Sequence, residues 1–379
     1  MNILVLKESN FSQEQRIAIT PENTKRLGLL GNQIFIQAGL GLHLHFTDEE
    51  FVKAGAKIIS DPQKILPTVD ILLSVQKPAI ETLSLLKQEA LVISFLDPYL
   101  EKTVVNKLLE HNLSSISLEL MPRTTLAQKM DALSSQANLA GYVAVITAAS
   151  LSPKIFPMMT TPAGTLSPAS VFVIGAGVAG LQAIATARRL GAKVEAFDTR
   201  PVVEEQVKSL GAKFLKIDLG ATDATKEGYA KALSQEQLEK QRIAMEKACS
   251  NADVIITTAQ TFGKKAPLLL TQKNLQSLRA GTILIDLAID SGGNIEGAKP
   301  NEIVELFGTK ILGLSNPASR VALHASQMYS SNLFYLLQHF WNKEEKKFHL
   351  NTSDEILKIC LLTHKKEIIN GSVKKFFAS

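Results

Sequence analysis

Cysteine is scarce: the 379-residue chain has two, Cys249 and Cys360, far apart and near no histidine pair. That spacing gives no ligand set for zinc, and no metal site is expected. Two cysteines also make no disulfide framework, which fits a reducing compartment. Long apolar runs are missing too. The longest, residues 140–151, carries Gly141, Tyr142 and Thr147 and falls short of the roughly 20 residues that a membrane span needs. Residues 1–8 lack the flanks of a secretory leader, so the chain is expected to be soluble. Basic runs interleaved with aromatics are absent, which argues against nucleic acid as a partner. Excess charge is small: the net charge is +5, and residues 343–379 hold eight Lys against five acids. Lysines such as Lys374 and Lys375 suit an acidic partner, a membrane surface or plain solvation.

What remains is ordinary globular composition, 45% hydrophobic and 20% charged. The length implies two domains or three, with a core that needs neither disulfides nor metal. Short apolar runs at residues 2–6, 33–37, 70–75, 91–95 and 114–118 alternate with helical patterns at 21–30, 48–54, 80–87 and 101–108. Pro21 after Thr20 marks a helix start, with Thr20 as N-cap. A second series of runs lies at 170–174, 193–197, 214–217, 253–258, 282–287 and 310–314. Alternation of this kind implies βαβ units around parallel sheets. The two series meet at residues 147–169, rich in Ser, Ala, Met, Thr and Pro, after a connecting helix over 133–149. Residues 321–340 form one helix with an apolar stripe at Leu323, Met328, Leu333 and Leu337, expected to pack back on the first domain. The fold class is therefore α/β, with two doubly wound Rossmann-like domains. The first, residues 1–133 and 320–379, is discontinuous and completed by the C-terminal segment; the second is residues 134–319.

Gly175-Ala-Gly177-Val-Ala-Gly180 follows an apolar run and opens a helix reaching Leu190. In such a motif the first Gly permits the tight turn and the second lets the backbone approach a pyrophosphate. The third lets helix and strand pack closely, and the helix N-terminus offers N–H groups to the anion. Asp198 ends the next run, 18 residues past Gly180. An acid there accepts hydrogen bonds from ribose hydroxyls and repels a 2′-phosphate, which favours NAD(H). Arg200 pulls the other way, since an Arg near this site can serve NADP.

Two loops stand out. Residues 219–230 form a long, small-residue stretch with one aromatic, Tyr229; such loops are lids or disordered surface. Residues 119–138 leave a strand end, where doubly wound sheets bind ligands. Arg123, Gln128, Asp131 and Ser134 there suit a carboxamide or phosphate, or simply cap a helix. The seven histidines, His43, His45, His111, His324, His339, His349 and His364, offer no clear acid or base. His43 and His45 alternate on an apparently extended segment and read as surface or structural.

Several segments together resemble the alanine dehydrogenase/transhydrogenase family. They are Met121-Pro-Arg123, Gln128-Lys-Met-Asp131, Leu133-Ser-Ser-Gln136, Asn138-Leu-Ala-Gly141-Tyr, residues 178–187 and residues 285–293. Lys7-Glu8, Arg16-Ile-Ala, Thr20-Pro21, Ala38-Gly-Leu-Gly41 and Ala54-Gly-Ala-Lys-Ile58 match as well, so the resemblance spans nearly the whole chain. Within the family it is most similar to the NAD(H)-binding component of proton-translocating, Si-specific NAD(P) transhydrogenases. The resemblance implies that Arg123, Gln128, Asp131 and Ser134 hold the nicotinamide end and that Gly228 and Tyr229 belong to a mobile loop. It places Val178, Asp198, Thr199 and Arg200 on the adenosine side, with Gln241 and Gln260 as further contacts. It further implies a homodimer and direct hydride transfer from NADH to NADP⁺ bound on a partner subunit. Membrane subunits would carry the NADP(H) domain and proton channel, with this chain peripheral on the cytoplasmic face of the inner membrane.

The competing family activity is an alanine dehydrogenase-like NAD-dependent oxidation of an amino acid. There the family has a Lys and a His that bind and protonate the keto acid; this chain has Gln76 and Asp97, while Arg16, a substrate-carboxylate contact, is retained. Hydride transfer between two nicotinamides needs close, oriented rings rather than an acid/base pair. A non-catalytic NAD(H)-binding protein is the third reading. The tail, residues 354–358 and 361–368, is expected to form a short strand pair.

Overall fold

The structure is a computed structural model that describes residues 1–8, 13–217, 234–260 and 263–378. It divides into two compact units, Met1–Gln136 with Ser319–Ser379, and Ala137–Ala318. Among the described residues no helix is long and apolar enough to cross a membrane.

The first unit is built on an eight-stranded sheet. From one edge it runs Glu367–Ile368, Leu361–His364, Ser114–Ser117, Leu91–Ser94, Ile71–Leu73, Asn2–Val5, Gln33–Gln37, Ala56–Ile59. The strands from Ser114–Ser117 to Ala56–Ile59 pair in parallel, in the doubly wound order 3-2-1-4-5-6. Ile71–Leu73, Leu91–Ser94 and Ser114–Ser117 are buried throughout, as a sheet covered on both faces requires. The two C-terminal strands extend it antiparallel. The expected strand at 354–358 is corrected: the Asp354 carboxylate accepts from the N–H groups of Ile356 and Leu357, and that turn leads into the helix Leu357–Cys360.

The helix Ala322–His339 buries Ala322, Ala325, Ser326, Tyr329, Leu333, Leu336 and Leu337. The expected stripe is thus half corrected, because Leu323 and Met328 are 39% and 43% exposed. Their spacing of five drifts off a face that repeats every 3.6 residues. This helix also engages the expected N-cap residue. Thr20 has extended backbone before the helix Pro21–Leu29, but its side chain makes no cap bond. Instead Ser330 Oγ accepts from Thr20 N at 3.1 Å and Asn23 Nδ2 at 2.9 Å, and Thr20 Oγ1 lies 3.4 Å from it. His43 is not on a strand either: it lies in the 3₁₀ turn Leu42–Leu44, its Nε2 2.7 Å from Gln15 O.

The second unit has a seven-stranded sheet in the order Lys213–Phe214, Lys193–Phe197, Ser170–Ile174, Val254–Thr257, Ile283–Asp286, Thr309–Gly313, Ile303–Leu306. All pairs are parallel except the last, so the order 3-2-1-4-5-6 recurs with one antiparallel edge strand. The core gathers Phe172, Phe197, Met245, Ile255, Leu284 and Ile311. The helix Gln235–Asn251 starts at a capping box in which Ser234 and Gln237 satisfy each other's backbone N–H. The joining region 147–169 contains a hairpin, Met159–Thr161 with Gly164–Leu166, whose residues are all exposed.

Replacing Ser330 by Ala leaves the Thr20 N–H and the Asn23 amide without their buried acceptor. We expect a loss of about 2 kcal/mol, seen as a lower urea midpoint with an unchanged m-value. An unaltered midpoint would mean that water replaces the hydroxyl.

Candidate functional site

In the second unit the strand Ser170–Ile174 turns at Gly175 into the helix Val178–Arg189. The three glycines do three different things. Gly175 has φ +99°, and a Cβ there would come 2.5 Å from Thr258 Oγ1. At Gly180 a Cβ would lie 1.9 Å from Gly175 O, so only Gly lets the helix sit this close. At Gly177 a Cβ would meet nothing nearer than Arg200 Nη2, at 4.0 Å. Sterics within the unit do not require this glycine, which leaves the backbone there open to a ligand's close approach.

Asp198 follows the neighbouring strand Lys193–Phe197. Its Oδ2 accepts from Ala176 N at 2.7 Å, which ties the acid to the middle of the turn. Arg200 donates to the same carboxylate through N, Nε and Nη2 at 2.8–2.9 Å. The pair is largely buried, and the carboxylate raises the arginine's pKa. Arg200 is thus engaged by Asp198.

Val178 begins the helix and Thr199 lies between Asp198 and Arg200, all within this turn region. Gln241 is 3% exposed on the helix Gln235–Asn251, and its Oε1 has no partner among the described residues. Among the described residues its Nε2 reaches Met245 Sδ, at 3.9 Å. A buried amide left so poorly matched is suited to an external donor or acceptor. Gln260 is exposed and donates to Leu287 O at 3.3 Å. Gly228 and Tyr229 lie outside the described residues. The open cradle at Gly177, the helix N-terminus and the orphaned Gln241 Oε1 together fit a dinucleotide.

One wall of this turn comes from residues that sequence reasoning passed over. Asp286, fully buried, accepts from Thr257 Oγ1 at 3.1 Å and from Ala288 N, Asn294 N and Ile295 N at 2.7–3.1 Å. Desolvation nonetheless keeps its pKa above the ordinary carboxylate value. The loop so held aims Asn294 at Ala259, whose N–H and C=O both bond its amide, at 3.1 and 2.9 Å. The signal was present in Gly292-Gly293-Asn294, whose glycines have φ +106° and +78°.

In the first unit, the segment after Leu118–Leu120 brings Asp131 and Ser134 together. Asp131 Oδ1 accepts from Ser134 N at 2.9 Å and Oδ2 from the Ser134 hydroxyl. This is a helix cap for Ala132–Leu151. Arg123 and Gln128 are exposed on the same loop. Asn332 of the helix Ala322–His339 anchors the loop, donating to Lys129 O at 2.8 Å and accepting from Ser135 Oγ at 2.8 Å.

The same unit buries a cluster of charge. Glu8 accepts from Val75 N at 2.7 Å and Gln76 N at 3.0 Å, and desolvation raises its pKa to about 7. Glu14 and Arg16, 2% and 4% exposed, form a forked ion pair with N–O distances of 2.8 and 2.6 Å. Glu119 is half-buried, with Asp97 N on one oxygen and Ser117 Oγ on the other; desolvation, then the Asp97 charge, raises it to about 7.

The family model for the alanine dehydrogenase/PNT N-terminal domain matches residues 4–140, and that for the C-terminal domain matches residues 144–371. The chain is 41% identical to the first part of the NAD(P) transhydrogenase subunit alpha of Rickettsia prowazekii, over 100% of this chain and 99% of that protein. The crystal structure of a transhydrogenase from Sinorhizobium meliloti matches with a TM-score of 0.86 and 41% identity, covering 97% of this chain and 100% of that one. An L-alanine dehydrogenase shares the fold at 22% identity, with a TM-score of 0.81 and coverage of 100% and 99%.

Glu8 supplies a pH prediction. Its folded pKa of about 7 lies above the ordinary 4.5, so between these values the folded chain holds a proton that the unfolded chain has released. Its contribution to stability therefore falls as pH rises through that window and is flat above it. Glu119 acts in the same sense. Thermal unfolding at pH 5 and pH 8 should show a smaller fall in Tm for Glu8→Gln than for the wild type. Equal falls would show that Glu8 ionises in the folded chain at its ordinary value.

Proposed function

The chain belongs to the alanine dehydrogenase/PNT family, and from that premise we propose that it is the NAD(H)-binding component of a proton-translocating NAD(P) transhydrogenase. The observation that carries the reading is the turn at Gly177, open to a ligand and flanked by a carboxylate held in place. When bound, NADH supplies the hydride carried at C4 of its nicotinamide ring. The N-terminus of Val178–Arg189 takes the pyrophosphate. Asp198 accepts from the ribose hydroxyls, with Val178, Thr199, Arg200, Gln241 and Gln260 around the adenosine. Arg123, Gln128, Asp131 and Ser134 hold the nicotinamide end, with Asp131 and Ser134 stiffened by their mutual hydrogen bonds. Gly228 and Tyr229, outside the described residues, are assigned to the same site. Positioning is the chain's contribution, because direct transfer between two rings needs orientation and exclusion of water more than proton transfer.

A partner subunit would carry NADP(H), and membrane subunits the proton channel, with this chain peripheral on the cytoplasmic face. Amino-acid dehydrogenation is disfavoured at one place: Arg16, the retained carboxylate contact, already holds Glu14 and Gln136.

The test mixes the purified chain with transhydrogenase membrane subunits and follows hydride transfer from NADH to an NADP⁺ analogue. An alanine-plus-NAD⁺ assay runs beside it. Transfer requiring both components, without alanine oxidation, is expected. Gln128→Asn should lower the transfer rate at least tenfold while leaving NADH affinity within about threefold. Alanine oxidation by the chain alone would replace this reading.

The homodimer is proposed from the hairpin, where Met158, Met159 and Leu166 are 66%, 46% and 54% exposed. Apolar groups clustered on one projecting element favour a second copy as their cover. Light scattering should give the dimer mass for the full chain and the monomer mass after deletion of residues 158–167. A monomer in both cases rejects it.

A further inference from the structure

In doubly wound sheets, ligands bind beyond the carboxyl ends of the strands where the winding reverses. In the second unit that point lies between the parallel strands Ser170–Ile174 and Val254–Thr257. One wall of the crevice is the glycine turn. The other is the segment Thr258-Ala259-Gln260, which continues Val254–Thr257 and belongs to no helix or strand. Thr258 joins the two walls. Its N donates to Ile174 O at 2.9 Å, and its Oγ1 to Gly175 O at 3.1 Å.

The next residue, Ala259, is held from the side by Asn294, which is fully buried. Asn294 Oδ1 accepts from Ala259 N at 3.1 Å. Its Nδ2 donates to Ala259 O at 2.9 Å and to Pro267 O at 2.8 Å. The main chain of Asn294 has other partners. Its O accepts from Leu269 N at 2.8 Å and Leu270 N at 3.0 Å, and its N donates to Asp286 Oδ2 at 2.7 Å. Asp286 thereby sets where Asn294 stands. Gly293 lets the chain pass this close, since a Cβ there would come 3.1 Å from Asp286 Oδ2.

The two halves of Asn294 serve different ends. Leu269 and Leu270 belong to the core, so the main-chain half serves the fold and survives any substitution of the side chain. The side-chain half reaches the wall of the crevice. Ala259 presents a donor and an acceptor side by side, and a carboxamide matches both at once. An aspartate would offer acceptors alone, and an apolar residue neither. We propose that Asn294 is a positioning residue for dinucleotide binding: its amide fixes Thr258-Ala259-Gln260 opposite the glycine turn, and Asp286 fixes Asn294. Asn294 acts through Ala259 rather than on the ligand. This role rests on the NAD(H) reading above. Its effect falls on affinity, because the segment faces the turn that takes the pyrophosphate, while Arg123, Gln128, Asp131 and Ser134 are assigned to the reacting ring.

The test titrates the full chain with NADH, then follows hydride transfer at saturating NADH with the membrane subunits present. Asn294→Ala should raise the NADH dissociation constant about tenfold. Asn294→Asp should be at least as harmful, because it turns an acceptor toward the carbonyls of Ala259 and Pro267. In both, the rate at saturation should stay within about threefold of wild type. Ile311→Val, a core substitution in the same unit, lowers stability without touching this wall and should leave affinity and rate unchanged. Wild-type affinity in the Asn294 variants, or an equal loss in Ile311→Val, overturns the proposal. A fall in saturated rate with affinity intact overturns it as well. Should Asn294→Ala not fold, Asn294→Ser takes its place, and wild-type affinity in it or in Asn294→Asp rejects the role. A wild-type chain that binds no NADH would reject the NAD(H) reading itself, and the role of Asn294 with it.

Discussion

The helix Val178–Arg189 has no room for a Cβ on two sides, and the second unit is arranged around that constraint. A Cβ on Gly180 would lie 1.9 Å from Gly175 O, and one on Gly141 would lie 2.1 Å from Ala179 O. The helix is therefore wedged between the sheet and Ala132–Leu151 by backbone contact, where no rotamer change can give relief. Thr258 Oγ1 holds Gly175 O at 3.1 Å from the adjacent strand end, and Asn294 holds Ala259 beside it. The turn is thus fixed before any ligand arrives. A site ordered in advance spends little of its binding free energy on arranging itself.

The first unit solves a different problem. Its crevice holds the buried pair Glu14 and Arg16 and the half-buried Glu8, with the half-buried Glu119 at another strand end. Ions there survive only because each carboxylate oxygen finds a donor: backbone N–H groups for Glu8, Arg16 and Gln76 for Glu14, Asp97 N and Ser117 Oγ for Glu119. The two outcomes divide by partner type. Glu14 faces a cation and is held below the usual carboxylate pKa, while Glu8 and Glu119 have mainly neutral donors and are raised. Hydrogen bonds satisfy a buried carboxylate, but only the arginine keeps it charged at low pH.

Much of this was legible in the sequence. Strand–helix alternation specified α/β with parallel sheets, because buried parallel strands must be continuous apolar runs. Gly175, Gly180 and Asp198 were legible because each meets a local steric or charge demand, and Gly177 because the motif's spacing frames it. Other features depend on tertiary partners. Thr20 sits at the N-cap position but makes no side-chain cap bond, its hydroxyl lying instead 3.4 Å from Ser330 Oγ, 310 residues away. The strand Ile303–Leu306 lies on an edge, where half of its residues are exposed and the apolar signal thins. Glu14 drew no attention in the sequence, and its burial against Arg16 depends on tertiary packing. Asp131 and Ser134 show the converse: the cap is visible in both sequence and structure, and it is compatible with ligand binding without demanding it.

The same strand order occurs twice in this chain, and the two crevices it creates are opposite in kind. One is lined by glycine backbone and open at Gly177; the other is closed by an arginine already gripping a carboxylate. Topology accordingly locates where a ligand can bind and says nothing of which one. The likeness to an L-alanine dehydrogenase makes the same point, since a TM-score of 0.81 persists at 22% identity. Discrimination between the two activities of the family falls to individual side chains. Gln76 carries no charge to attract a second carboxylate, and it is already committed to Glu14. An amino acid entering there would have to displace a carboxylate attached to the chain itself, present at high effective concentration. Closure of one crevice and openness of the other are together compatible with the proposed transfer between two nicotinamides, which asks for a dinucleotide site and no keto-acid pocket.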